Sequence, residues 1–130
     1  MVKLDRDGPD NIQNIRAALV AEAQARKDTP VYSGFVVYFR LAMEEVARLS
    51  KEGNEQHNPG TPLHWDRAKS GDELDALTRH LLDEAAPELR LDEAILCARA
   101  VAWRAMANLQ KLCEKRYAAD ETDISSRVTD

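Results

Sequence analysis

The stretch from about Leu91 to Ala118 constrains this chain most, because Ile95, Ala98, Ala102, Ala105, Leu109 and Leu112 recur there at alternating three- and four-residue spacing. That period lines one face of a long helix. Small residues on the face let a neighbouring helix approach closely, and the seam of a dimer would carry the same pattern. Over all 130 residues, 44% are apolar but only 5% aromatic, so a core must be built from aliphatic side chains and alanine. Such a composition favours helices over sheets. The expected architecture is all-α, a bundle of about four helices forming one domain over residues 1–119, followed by a polar, aperiodic tail, Asp120–Asp130, that frays.

Three other segments carry helical patterning. Asp10 and Gln13 form a capping-box-like pair, after which Ile12, Ile15, Leu19 and Ala23 keep helical spacing as far as Lys27 and Asp28. Thr29-Pro30 reads as a cap with a first-turn proline, and Phe35, Phe39, Ala42, Val46 and Leu49 mark the buried stripe of a second helix ending near Glu52. Ser70-x-x-Glu73 reads as a capping box that opens a third helix, with Leu74, Leu77, Leu81 and Ala85 on one face before Pro87 stops it. Between them, Gly53 to Gly71 holds three of the five glycines, two of the three histidines and Trp65. The pattern breaks there, which predicts a long, ordered binding loop.

Charge narrows the function classes. With 18 Lys and Arg against 23 Asp and Glu the net charge is -5, which lacks the basic footprint of a nucleic-acid binder. The charged start Met1–Asp7 has no apolar signal region and no stretch reaches the length of a membrane span, so a cytoplasmic protein is expected, with no membrane partner. Cys97 and Cys113, sixteen positions apart on one helix, would sit roughly 24 Å apart and are read as free thiols.

Three constellations could carry chemistry. Glu45 lies at the edge of the second helix's apolar stripe, beside Leu41, Ala42 and Leu49, whereas Glu44 faces Arg40 and Arg48 in a surface ladder. A carboxylate at that edge is either a metal or site ligand, or else it snorkels at the rim or pairs with a basic residue on another helix. Asp72 and Asp75 share a face at the start of the third helix, with Arg79 following. They either share a hard cation or simply balance the helix dipole. In the loop, His57, His64, Trp65, Arg67, Lys69 and Ser70 would suit a phosphate and a stacked base, with Asn54, Gln56 and Asn58 for base-edge hydrogen bonds; the alternative is a loop packed on its own Trp65 and Leu63. A zinc site from His57, His64, His80 and a cysteine is rejected on ligand spacing.

The string Gly53-Asn54-Glu55-Gln56-His57-Asn58-Pro59-Gly60, then Leu63-His64-Trp65, Lys69-Ser70, Asp72-x-x-Asp75-Ala76, Arg79-His80-Leu81-Leu82 and Ala102-Trp103-Arg104-Ala105, resembles the phage dATP/dGTP diphosphohydrolase family among the MazG-like all-α NTP pyrophosphatases. The resemblance covers roughly Glu45 to Leu109, half of the chain. It implies an oligomeric helical enzyme, a homodimer or homotetramer, that uses Mg²⁺ or Mn²⁺ to split a purine deoxynucleoside triphosphate, dGTP or dATP, into monophosphate and pyrophosphate. Similar proteins feed dGMP to 2-aminoadenine nucleotide synthesis in phages. The implied metal ligands are Glu44, Glu45, Asp72 and Asp75. Glu45, Asp75 and Lys69 are implied as catalytic, and Asn54, Gln56, His57, Asn58, His64, Trp65, Arg67, Lys69, Ser70, Arg79 and His80 as substrate-binding. Asp72-x-x-Asp75 fits the family's second acidic motif. The first departs from it, since Ala47 and Arg48 stand three positions after Glu44 and Glu45, and Glu52 or Glu55 would have to supply the missing acid. A helical nucleotide-binding or protein-interaction module without turnover is the alternative.

Overall fold

The computed structural model describes residues 9–129, so the N-terminal Met1–Asp7 reading and Asp130 lie outside the described residues. Four α-helices account for most of the chain: α1 (Pro9–Lys27), α2 (Arg40–His57), α3 (Glu73–Glu84) and α4 (Leu91–Thr129). No strand occurs among the described residues, as the composition predicts. None of these helices is long and apolar enough to cross a membrane. The chain divides into two compact units, one containing α1 with the segment up to Arg40 and the end of α4 from Ile124, the other Leu41–Asp123.

In the first unit the expected α1 forms, but its stripe is not buried. Ile12, Ile15 and Leu19 are all exposed and only Asn11 and Ala23 are half-buried. The side chain of Asp10, expected as a cap, lies outside the described residues. The second predicted helix is divided. Tyr32–Val36 forms a π-helical turn, closed by the Val37 amide donating to the Tyr32 carbonyl at 3.0 Å, and regular α-helix resumes only at Arg40. The cause is local, since the Val31 to Phe39 run is rich in β-branched and aromatic residues that crowd a helical turn. Phe35 and Phe39 meet at a tilt of 55° with ring centres 5.3 Å apart and stay exposed rather than entering a core.

The second unit, built from α2, α3 and most of α4, holds every candidate site residue. Helix α2 runs five residues past Glu52, so Gly53 to His57 is helical and not loop. Lys51 and Glu55 pair at 3.8 Å across this last turn, and Pro59 sets the stop by disfavouring helix at the residue before it. The remaining connection turns sharply at Asn58-Pro59-Gly60-Thr61. The Thr61 amide donates to the Asn58 carbonyl at 3.2 Å and Gly60 takes φ +80°, as the third position of a type II turn requires.

Helix α3 starts at Glu73, with Asp72 as its N-cap residue, and no side chain caps a backbone N–H there. The predicted capping box is therefore corrected: the Ser70 hydroxyl donates to the Glu73 carboxylate instead. The predicted leucine face is also corrected, because Leu74 and Leu81 are exposed while Glu73 and Ala76 are buried. Helix α4 continues to Thr129, beyond the expected end at Ala118, with Thr122 Oγ1 donating to the Ala118 carbonyl at 2.9 Å within the predicted frayed segment. Its inward side differs from the expected stripe as well. Ala100 and Ala107 are buried, while Ile95, Leu109 and Leu112 are exposed. Both cysteines, Cys97 and Cys113, are free thiols on this helix.

Candidate functional site

One side of α4 organises the second unit. Arg99, Trp103, Ala107, Lys111 and Glu114 follow one another at spacings of four, four, four and three residues, a helical face about 22 Å long. Each polar member of that row holds a different part of the chain.

Arg99, only 9% exposed, reaches two acids of α2: its Nη1 lies 3.5 Å from Glu45 Oε2, and both of its terminal nitrogens donate to Glu52. The other Glu45 oxygen accepts from Arg48 at 2.5 Å. Of the readings the sequence allows for Glu45, the structure displays the pairing with a basic residue of another helix. Glu44 lies beside it on the exposed side of α2.

One turn further along α4, Trp103 Nε1 donates to Ser50 Oγ at 2.9 Å and its ring meets Trp65 edge to face, with centroids 5.7 Å apart. Trp65 is covered by cations: the Arg67 guanidinium lies 4.2 Å and the Lys111 ammonium 5.6 Å from its ring centre. Arg67 continues to Glu114, to which it donates two hydrogen bonds. The loop is thus packed through Trp65 and Arg67 onto α4 rather than on itself, and Leu63, expected to pack with Trp65, is 63% exposed.

Two of the three amides expected to read a base, Asn54 and Asn58, are engaged within the chain. Asn54 Nδ2 donates to the Thr61 carbonyl at 3.1 Å, and Asn58 Oδ1 accepts from Lys69 at 3.4 Å. Lys69 also pairs with Asp66 at 3.6 Å, and His64 Nδ1 lies 2.9 Å from the Pro62 carbonyl oxygen. Gln56 and His57 are exposed on the last turn of α2, and His80 is half-buried on α3.

At the start of α3, Lys111 donates to the Ser70 carbonyl and to both Glu73 oxygens, at 3.2 and 3.1 Å, so the Ser70 hydroxyl, Glu73 and Lys111 form one cluster. Burial pushes the Glu73 carboxyl upward, but the bonds from Ser70 and Lys111 more than offset this and its pKa falls below the ordinary value. Asp72 accepts from Arg79 at 3.1 Å, and Arg104 stands 3.8 Å from its other oxygen; chiefly through the Arg79 bond its carboxyl is also held low. Glu114 is held low by Arg67 and then by Gln110. Beside this cluster an open groove of about 450 Å³ is lined by Asp72, Asp75, Asn108, Lys111 and Lys115.

The structure thus brings Asp72 and Asp75 together with lysines of α4, and places Glu45 with Arg99. Among the described residues no group of three or more His, Cys, Asp and Glu side chains is arranged to hold a metal ion. Sequence reasoning passed over Arg99, Lys111 and Glu114. Their signal was charge at helical spacing, in register with Trp103 and offset from the apolar positions of the same helix. No protein family, curated protein or solved structure matches this chain.

Proposed function

We propose that this chain hydrolyses purine deoxynucleoside triphosphates, dGTP or dATP, to the monophosphate and pyrophosphate with Mg²⁺ or Mn²⁺. The observation that supports this most is the groove at the start of α3, where two carboxylates, Asp72 and Asp75, share one lining with Lys111 and Lys115. Its size falls within the ~300–1,000 Å³ common for small-molecule sites. The resemblance of the surrounding string to the MazG-like pyrophosphatases supplies the reaction class.

Asp75 has the hard oxygen donors such a cation requires, and Asp72 would offer its own only by giving up the bond from the exposed Arg79. Glu45 does not fit it as placed, because both of its oxygens already accept from guanidinium groups. A bound divalent cation would neutralise phosphate charge and make a water molecule more acidic. Lys115, on the same lining, would orient the phosphate oxygens, while Lys111 stays committed to Ser70 and Glu73. In the reaction the water oxygen bonds to the α-phosphorus, the α–β anhydride bond breaks, and pyrophosphate leaves with the bridging oxygen. A cytoplasmic role on the nucleotide pool, free of nucleic acid and membrane, follows from this reading, as does assembly into a homodimer or homotetramer. Exposed Leu74, Leu81 and Leu82 on α3 support the latter.

Chromatography of the purified protein with each dNTP, with Mg²⁺, Mn²⁺ or EDTA, tests the proposal. Metal-dependent dGMP or dAMP with pyrophosphate is expected, from a particle that light scattering sizes as two or four chains. Asp75→Asn should lower turnover at least tenfold while circular dichroism stays unchanged. Absence of turnover under every condition would sink the enzyme reading. One observation favours the second reading, a helical binding module without turnover: Glu45 and Glu52 are already paired with Arg99, and the first acidic motif lacks its remaining acids.

A further inference from the structure

Helix α2 presents Glu45 and Glu52 seven residues apart, two turns along the same face. A pair of carboxylates so placed attracts a cation, and the structure already contains one. The Arg99 side chain is 9% exposed and its terminal nitrogens reach both acids, while Arg48 Nη1 takes the outer Glu45 oxygen at 2.5 Å. Two negative and two positive charges therefore balance locally. Arg99 Nε is buried without an acceptor, so the guanidinium is held where it is by the two carboxylates and by the packing around its stem.

A divalent ion at this place would have to expel Arg99 from a buried position and leave its charge without partners. An unpaired buried guanidinium is among the least favourable states a helix interface can adopt. Guanidinium is also permanently charged and presents a planar fork that matches carboxylates, so ordinary solution pH cannot release it.

We propose that Arg99 is the resident counter-cation of the α2 acids, standing where a metal would otherwise sit, so that Glu45 and Glu52 ligate no divalent cation in this fold. Arg99 is thus a positioning residue for Glu45 and Glu52. The inference rests on the proposed metal-dependent reaction and deepens it by stating which acids a cation does not use. It is read without nucleotide, so absence of hydrolysis would not decide it.

The experiment is Mn²⁺ titration followed by electron paramagnetic resonance on the full chain, with folding checked by circular dichroism. Glu45→Gln and Glu52→Gln should each leave Mn²⁺ affinity within threefold of the unaltered protein. Arg99→Met should gain one additional Mn²⁺ per chain, and adding Glu45→Gln should abolish that gain. Arg99→Lys, which keeps a positive charge, should gain none. A loss of affinity greater than threefold on Glu45→Gln would overturn the proposal, as would a folded Arg99→Met that binds no additional ion. If Arg99→Met does not fold, the Glu45→Gln and Glu52→Gln comparison decides by itself.

Discussion

Replacing Trp103 by alanine should cost this protein about 3 kcal/mol, the lower end for removing a large aromatic side chain. Trp103 is the point at which three segments meet. Its ring packs edge to face on Trp65 of the loop, its Nε1 holds Ser50 of α2, and the guanidinium of Arg104 lies 5.4 Å from the ring centre. Among the described residues the buried apolar ones are alanines only, Ala76, Ala100 and Ala107, and no large side chain is fully buried. The aromatic pair therefore carries a share of stability that a larger core would spread over many side chains. Urea denaturation should show the loss, and the emission of the remaining Trp65 should shift to the red as the loop loosens from α4. Trp103→Phe keeps a ring but gives up the bond to Ser50, at a cost of about 1 kcal/mol from the hydrogen bond. If Trp103→Ala unfolds at the same urea concentration as the parent, the aromatic contact is not what fastens the loop.

Glu73→Ala should be the second large loss, about 3 kcal/mol at neutral pH, because it strands a partly buried ammonium and a buried hydroxyl. Glu73 is 6% exposed and binds Ser70 and Lys111; Lys111, with its side chain 26% exposed, keeps some contact with water, which moderates the effect. The same cluster sets a pH dependence. The folded carboxyls of Glu73, Asp72 and Glu114 all titrate below their ordinary values, so the unfolded chain binds more protons as acid is added. Their contribution is complete above the ordinary carboxylate range, near 4, and is lost as pH falls through the lowered folded values. Denaturation midpoints should therefore drop from pH 5 toward pH 2. The difference between parent and Glu73→Ala should narrow over the same interval. A constant difference across it would show that Glu73 stabilises by packing and not by charge.

Helical type was legible wherever one period ran long enough. Ile95 through Leu112 announced α4, and Leu74 through Ala85 announced α3. Boundaries failed where two local preferences competed. The aromatic and β-branched run before Phe39 yields a π-turn, and Gly53, where the pattern breaks, lies within α2, which the Lys51–Glu55 pair carries through it. In the candidate site, the acids and the basic loop stood out by residue type. Their partners did not, because Arg67 meets Glu114 across 47 residues and Arg99 meets Glu45 across 54.

Spacing and composition by themselves determined that the chain is helical, that Pro87 interrupts it, and which residue types could handle a phosphate or a cation. Those properties depend on neighbours within a few residues, which is the range over which backbone sterics and helical period act. Only the tertiary structure decided that α4 turns Arg99, Trp103 and Lys111 inward in place of its leucines, and that Glu45 spends both oxygens on guanidinium groups. A side chain's partner depends on which helices pack and at what rotation, and that is set by the summed fit of whole faces rather than by any one residue's preference.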